Sequence, residues 1–210
     1  MHNRARHQIN IRTILPGSIV VALLIAACSD GTENQKTAEQ NEKSTMTEDG
    51  LFIREEFYDN GALKARWTEF AESPGHFIAH GRRTMWYRNG RKMFEGEVKY
   101  GEPDGAITYW YPGGQKKQEM MFVDGKQTGA VRSWYENGTL LQEAYFKEDL
   151  PHGTATIWDS LGQKIEELSY QNGVKHGLCR RWDADGRLIS EQTFENGKLM
   201  IESVGNNPDM

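Results

Sequence analysis

Apolar and polar residues alternate along residues 51–198, and glycines interrupt the alternation at regular intervals. The segment 130–135 is rich in β-forming residues, 136–139 has the composition of a turn, and 140–146 again favours a strand. Residues 147–151 then cross to the next such pair. A helical reading fails because glycines recur every nine to fifteen residues. The pattern predicts an all-β chain built from successive hairpins.

The hairpins repeat every 24 residues. Each of five copies begins at a glycine (Gly81 in the first), with a tryptophan five residues later, a second glycine after nine and a glutamate after fourteen. The tryptophans are Trp86, Trp110, Trp134, Trp158 and Trp182, and the glutamates are Glu95, Glu119, Glu143, Glu167 and Glu191. A degenerate sixth copy lies at the front, where Phe57 occupies the tryptophan position, and its five extra residues lie around 72–76. We expect about six hairpins in residues 50–200.

The tryptophans and tyrosines are assigned to opposite faces of the sheet. A thin sheet lacks an opposing layer, so stacked tryptophans are expected to form its core. Tyr87, Tyr111 and Tyr135 follow three of them directly and therefore point the other way. The last two copies have aspartate at this position, which predicts exposure. An exposed tyrosine ladder is a candidate contact surface for a protein or a glycan, although tyrosine also simply favours exposed strands.

The glutamate column is interpreted as structural, with turn amides or a neighbouring lysine or arginine as partners. Equivalent residues of adjacent hairpins lie roughly 9–10 Å apart, which is too far for a shared ion or a glycosidase carboxylate pair. His80, His152 and His176 precede their glycines, where the other copies have aspartate or threonine, and all three residue types cap turns. We therefore predict no metal site, no cofactor and no enzyme activity.

The N-terminal residues carry export signals. Residues 1–27 combine a basic start with a short apolar run, as in a signal peptide. Ile25–Cys28 resembles the lipobox of bacterial lipoproteins, which implies a lipid on Cys28. Residues 28–49 are expected to form a flexible linker, and 201–210 a C-terminal tail. With Cys28 acylated, Cys179 has no disulfide partner and is expected to be a small buried residue.

The charge of the body argues against nucleic acid as a partner. Between residues 50 and 200, 20 basic residues nearly balance 22 acidic ones. A nucleic-acid-binding surface needs a concentration of positive charge. The predicted attachment is instead to a membrane through Cys28, on the outer membrane or the cell surface if the host has two membranes.

The repeat resembles the bacterial variant of the MORN repeat, which has a Gly-x4-Trp/Tyr-Tyr-x2-Gly-x4-Glu-x2-Tyr/Phe-x2-Gly core. The resemblance covers about residues 51–198. It implies an elongated, twisted antiparallel sheet in which each hairpin contacts mainly its neighbours. The leading functional hypothesis is a non-catalytic envelope lipoprotein that binds or scaffolds a protein. The resemblance also suggests an antitoxin or immunity protein with a toxin as partner, and the tyrosines suggest a module that binds cell-wall polysaccharide.

Overall fold

Residues 42–204 are described by the computed structural model and form one antiparallel sheet of 17 strands. The strands are β1 (Glu42–Met46), β2 (Phe52–Phe57), β3 (Leu63–Ser73), β4 (His76–Ala79), β5 (Gly81–Trp86), β6 (Lys92–Lys99), β7 (Glu102–Pro103), β8 (Gly105–Trp110), β9 (Lys116–Val123), β10 (Lys126–Trp134), β11 (Leu140–Lys147), β12 (Leu150–Trp158), β13 (Lys164–Gln171), β14 (Val174–Lys175), β15 (Gly177–Trp182), β16 (Leu188–Glu195) and β17 (Lys198–Val204). The all-β prediction is confirmed. Residues 42–204 include no helix of the length and hydrophobicity that crossing a bilayer requires.

Consecutive strands pair along the whole sheet, so the chain is a meander. The pairs β4/β5, β7/β8 and β14/β15 are each two parts of one interrupted strand, because both parts pair with the same preceding strand. The predicted crossing at residues 147–151 is itself a tight turn, in which Glu148 and Asp149 have φ values of 49° and 69°. Hairpin turns therefore occur at both ends of the strands.

The turn at residues 136–139 places only one of its Asn-Gly residues at positive φ. Gly138 adopts a φ of 87°, whereas Asn137 does not have positive φ. The Gly138 N–H donates to the carbonyl of Tyr135 at 2.9 Å, as in a type I turn followed by a left-handed residue. Asn137 instead accepts the N–H of Thr139 on its side-chain oxygen at 3.0 Å. The asparagine thus stabilises the turn by a side-chain hydrogen bond.

The core lies on one face of the sheet, which we call the core face. Its best-buried large side chains are Ile107, with 2% of its surface exposed, and Phe94 and Phe122, with 3% each. By strand alternation and pairing, all the buried hydrophobic residues share this face. They are Ala65, Phe94, Ile107, Met120, Phe122, Val131, Ala144, Phe146, Ala155, Ile157, Leu168 and Cys179. The burial predicted for Cys179 is confirmed.

The prediction that the tryptophans form this core is wrong. All five tryptophans of the column are half-buried, and alternation places them on the opposite face. Trp134, for example, lies two residues after Arg132, which stands opposite Glu119 and Glu143. Space on the core face is filled instead by residues of varied size, such as Ile107 and Val131.

The sheet extends beyond the predicted boundaries at both ends. β1 lies within the predicted linker and pairs over all five residues with β2. β17 runs from Lys198 into the predicted tail and pairs with β16. The predicted signal peptide, Cys28 and the linker up to residue 41 lie outside the described residues, as do residues 205–210.

Candidate interaction surface

Glutamates, lysines and arginines line the face that carries the tryptophans, which we call the charged face. Three lysines each donate to a glutamate three residues later at 2.7 Å. These pairs are Lys92–Glu95, Lys116–Glu119 and Lys164–Glu167. The predicted structural role of the glutamate column, with basic neighbours as partners, agrees with these contacts.

Two arginines connect glutamates of neighbouring repeats. Arg132 contacts Glu143 at 2.7 Å and Glu119 at 3.4 Å. Arg180 contacts Glu191 at 2.8 Å and Glu167 at 3.5 Å. The hydrogen bond from Lys116 lowers the pKa of Glu119, and the hydrogen bond to Glu143 raises the pKa of Arg132. Both shifts favour the ionised form of the group. We call the glutamate column with its lysine and arginine partners the charge ladder.

The tryptophans belong to this ladder. The ammonium groups of Lys92, Lys116 and Lys164 lie 5.4–5.8 Å from the ring centres of the tryptophans in the next repeat. Each lysine therefore combines a cation–π contact with its ion pair. The column is structural, as predicted, but it joins repeats across the charged face.

The tyrosine ladder also connects repeats. The hydroxyls of Tyr87, Tyr111 and Tyr135 donate to the carbonyls of Trp110, Trp134 and Trp158 at 2.7–2.9 Å. Their rings are half-buried, and burial raises the pKa of each hydroxyl. The prediction that these rings form an exposed surface is wrong.

The aspartates at the same position have a different use. The Asp159 carboxylate accepts the N–H groups of Leu161 and Gln163 at 2.9 and 2.8 Å. Asp183 accepts the equivalent pair in the last repeat. Tyrosine thus bonds across to the next repeat, whereas aspartate caps its own turn. The position therefore accepts either tyrosine or aspartate because each makes its own hydrogen bonds, and not because the position is exposed.

Tyr111→Phe is expected to lower the free energy of unfolding by about 1 kcal/mol, because the substitution deletes the bond to the Trp134 carbonyl and preserves the ring. The measurement is urea unfolding followed by tryptophan fluorescence. Tyr145→Phe is the control, since Tyr145 is exposed and should change stability by less than about 0.5 kcal/mol. Equal effects of the two substitutions would contradict a connecting role for Tyr111.

An apolar strip borders the charge ladder on the same face. Met121 and Tyr145 are 42% and 40% exposed and lie on β9 and β11. They flank β10, where Ala130 stands opposite Tyr145. Ala106 stands opposite Met121 on the other side. We call Met121, Tyr145 and these two alanines the apolar strip.

Sequence reasoning missed the apolar strip. The signal was present in the column two residues after the glutamates, where other copies have glutamate, serine or threonine. Methionine and tyrosine stand out at an outward-facing position that is otherwise polar.

Two of the three histidines in the column, His80 and His176, support turns, whereas the buried Nδ1 of His152 has no hydrogen-bond partner among the described residues. His80 and His176 accept backbone N–H groups from Tyr100 and Asn196 on Nδ1, each at 3.4 Å. Asp104 accepts from Asp124 at 3.2 Å. Within the part of the chain that the structure describes, no cluster of three or more histidine, cysteine, aspartate or glutamate residues has the geometry of a metal site.

Four segments match the family model of the MORN repeat variant, at residues 103–124, 127–148, 151–172 and 175–196. These segments are MORN repeats. The matches are spaced 24 residues apart, in agreement with the period of the sheet. The apolar strip lies largely within the first two MORN repeats. No curated protein matches the chain.

Similarity to solved structures is slight. A mutant of S. aureus TarM in complex with fondaparinux, α-GlcNAc-glycerol and UDP is 8% identical, with a TM-score of 0.28. The match covers 74% of this chain but only 26% of that one, so the MORN-repeat chain spans about a quarter of it. A porin-like protein from Bacteroides uniformis is 9% identical over 78% of this chain and 92% of its own, with a TM-score of 0.18. These values are too low to bear on function.

Proposed function

We propose that the chain is a non-catalytic envelope lipoprotein whose MORN repeats bind a protein partner. MORN repeats are in general modules that bind proteins or membranes. The observation that carries the proposal is the apolar strip, where Met121 and Tyr145 expose large side chains on adjacent hairpins. Exposed apolar residues on neighbouring strands are costly in water and are typical of contact surfaces.

The surroundings of the strip favour a protein over a polysaccharide. Protein interfaces combine a small apolar centre with a polar rim, and tyrosine is common among the residues that dominate binding. The charge ladder supplies such a rim beside Tyr145. A polysaccharide module was predicted from an exposed series of aromatic rings, but Tyr87, Tyr111 and Tyr135 are half-buried.

The proposed location is the surface of a membrane. A lipid on Cys28 would hold the repeats there, with the residues up to β1 as the connection. A toxin encountered in the envelope is one class of partner, in which case the chain would act as an immunity protein. Mass analysis of the mature N-terminal peptide tests the anchor separately, because acyl chains on Cys28 add a defined mass.

Affinity capture of the full chain from its own membranes tests the binding proposal. Tyr145→Ser and Met121→Thr suit the sheet, because Ser169 and Thr193 occupy the same column. Leu161→Ser is the control, since Leu161 is 83% exposed on a turn away from the strip.

We expect one co-purifying protein to be reduced at least tenfold by each strip variant and unchanged by the control. Equal recovery with all three variants would contradict the proposal. Loss of a glycan with retention of proteins would favour the polysaccharide alternative.

A further inference from the structure

The last described strand presents an apolar edge. β17 pairs with β16 on one side, and within residues 42–204 no strand pairs with its other side. Leu199, Met200 and Ile201 are 42%, 52% and 63% exposed along this edge. The first strand, β1, has mainly polar residues at the opposite edge of the sheet. An open edge with exposed apolar residues readily pairs with another strand.

The edge is not a template for another repeat. In earlier repeats the pairing slips by two residues around a glycine, as between Thr128 and Arg132. Ile201 occupies that glycine position in β17, and the pairing slips by only one residue, between Phe194–Leu199 and Thr193–Ile201. Beyond this point β17 is therefore out of phase with the other strands. The occupant of the edge must be something other than a further repeat in register.

We propose that β17 pairs antiparallel with β17 of a second copy of this chain. The strand has Lys198 at its start and Glu202 near its end, so antiparallel pairing brings the positive end of one copy beside the negative end of the other. Parallel pairing would place like charges together. A two-fold axis perpendicular to the sheet then joins the two sheets into one, with each face continuous across the junction.

The charges and the bulge select the register. In an antiparallel pair, directly opposite residues have their side chains on the same face of the sheet. The two-fold axis must therefore lie between one residue of β17 and the same residue of the second copy. An axis at Glu202 would place two carboxylates opposite each other, and an axis at Met200 would fall on the extra residue of the bulge. An axis at Ile201 sets Ile201 opposite Ile201 of the second copy, beyond the bulge. The pairing is thus centred on Ile201.

Disulfide cross-linking tests this register in the full chain, purified in detergent. Directly opposed residues have Cα atoms about 4.5–5.5 Å apart, which suits a disulfide. The parent carries Cys179→Ala, because alanine occupies the equivalent position at Ala155. Ile201→Cys in this parent is expected to give a cross-linked dimer on oxidation. Ser44→Cys on β1 and the parent itself are the controls and should remain uncross-linked.

A cross-link that requires Ser44→Cys together with Ile201→Cys would indicate head-to-tail pairing and would overturn the proposal. Absence of a cross-link for Ile201→Cys would do the same. Sedimentation of the full chain provides a second measurement. The natural chain should have twice the protein mass of Ile201→Lys, in which two ammonium groups would face each other at the axis.

Ile201→Lys should retain the circular dichroism of the natural chain, because residue 201 is exposed at the edge. A natural chain that sediments as a monomer would overturn the proposal, as would an Ile201→Lys variant that remains a dimer. Neither readout depends on the apolar strip, so failure of partner capture and failure of dimerisation are distinguishable.

Discussion

Phe122→Ala is expected to lower the free energy of unfolding by about 3–5 kcal/mol. Phe122 lies on β9 with 3% of its surface exposed, and it stands opposite Gly105 on β8. Glycine offers no side chain to occupy the space that the ring leaves. The truncated site therefore loses the transfer free energy of the ring and retains a cavity.

Urea unfolding of the full chain, followed by tryptophan fluorescence, measures this loss. Leu161→Ala is the control, and its effect should stay within about 0.5 kcal/mol because Leu161 is exposed. Repeat arrays unfold locally as well as globally, so hydrogen exchange in β8 to β10 should rise together with the global loss. A change below about 1 kcal/mol for Phe122→Ala would contradict the assignment of the core face.

The 24-residue period sufficed to predict the strands, but it did not reveal which face is buried. Alternation assigns Trp134 and Val131 to opposite faces, and either face of a single sheet has room for large side chains. Three of the five rings in the uniform tryptophan column, those of Trp110, Trp134 and Trp182, contact lysines at similar distances. Core positions such as Ile107, Val131 and Ala155 vary because neighbouring residues compensate in volume. An invariant residue type at one position of the repeat therefore did not indicate that the position is buried.

The candidate surface was less predictable than the fold. Tyr111 and Asp159 occupy the same position of the repeat, and the presence of aspartate there predicted that the position is exposed. The two side chains instead make different hydrogen bonds. Distinguishing those bonds requires the position of the next repeat's carbonyl, which composition does not supply. The boundary at β1 was also hidden, because its five exposed residues give no apolar signal and are held by backbone pairing.

The glutamate column shows where sequence reasoning succeeded. The separation of its members by two strands argued against shared chemistry, and turn amides or a neighbouring lysine or arginine were the expected partners. Arg132 lies between Glu119 and Glu143 and contacts both. The inference required only the strand spacing and the side-chain chemistry, both of which follow from the repeat.

Gly81→Ala is expected to cost about 2–3 kcal/mol, the largest effect among the repeat glycines. Gly81 has a φ of 95°, which strains any residue with a Cβ by about 1–2 kcal/mol. A Cβ at this position would also lie 2.5 Å from Oγ1 of Thr68, whose hydroxyl donates to the carbonyl of His80. Displacing Thr68 breaks that bond, which adds about 1 kcal/mol.

Gly129→Ala separates strain from collision, because Gly129 has a φ of 70° and no atom within 4 Å of the added Cβ. It should cost only the strain. Thr68→Ala removes the colliding oxygen, so Gly81→Ala introduced into that variant should cost no more than Gly129→Ala. Equal losses for Gly81→Ala and Gly129→Ala in the natural chain would show that the contact with Thr68 contributes nothing. The first repeat would then tolerate a side chain at its glycine as well as the middle repeats do.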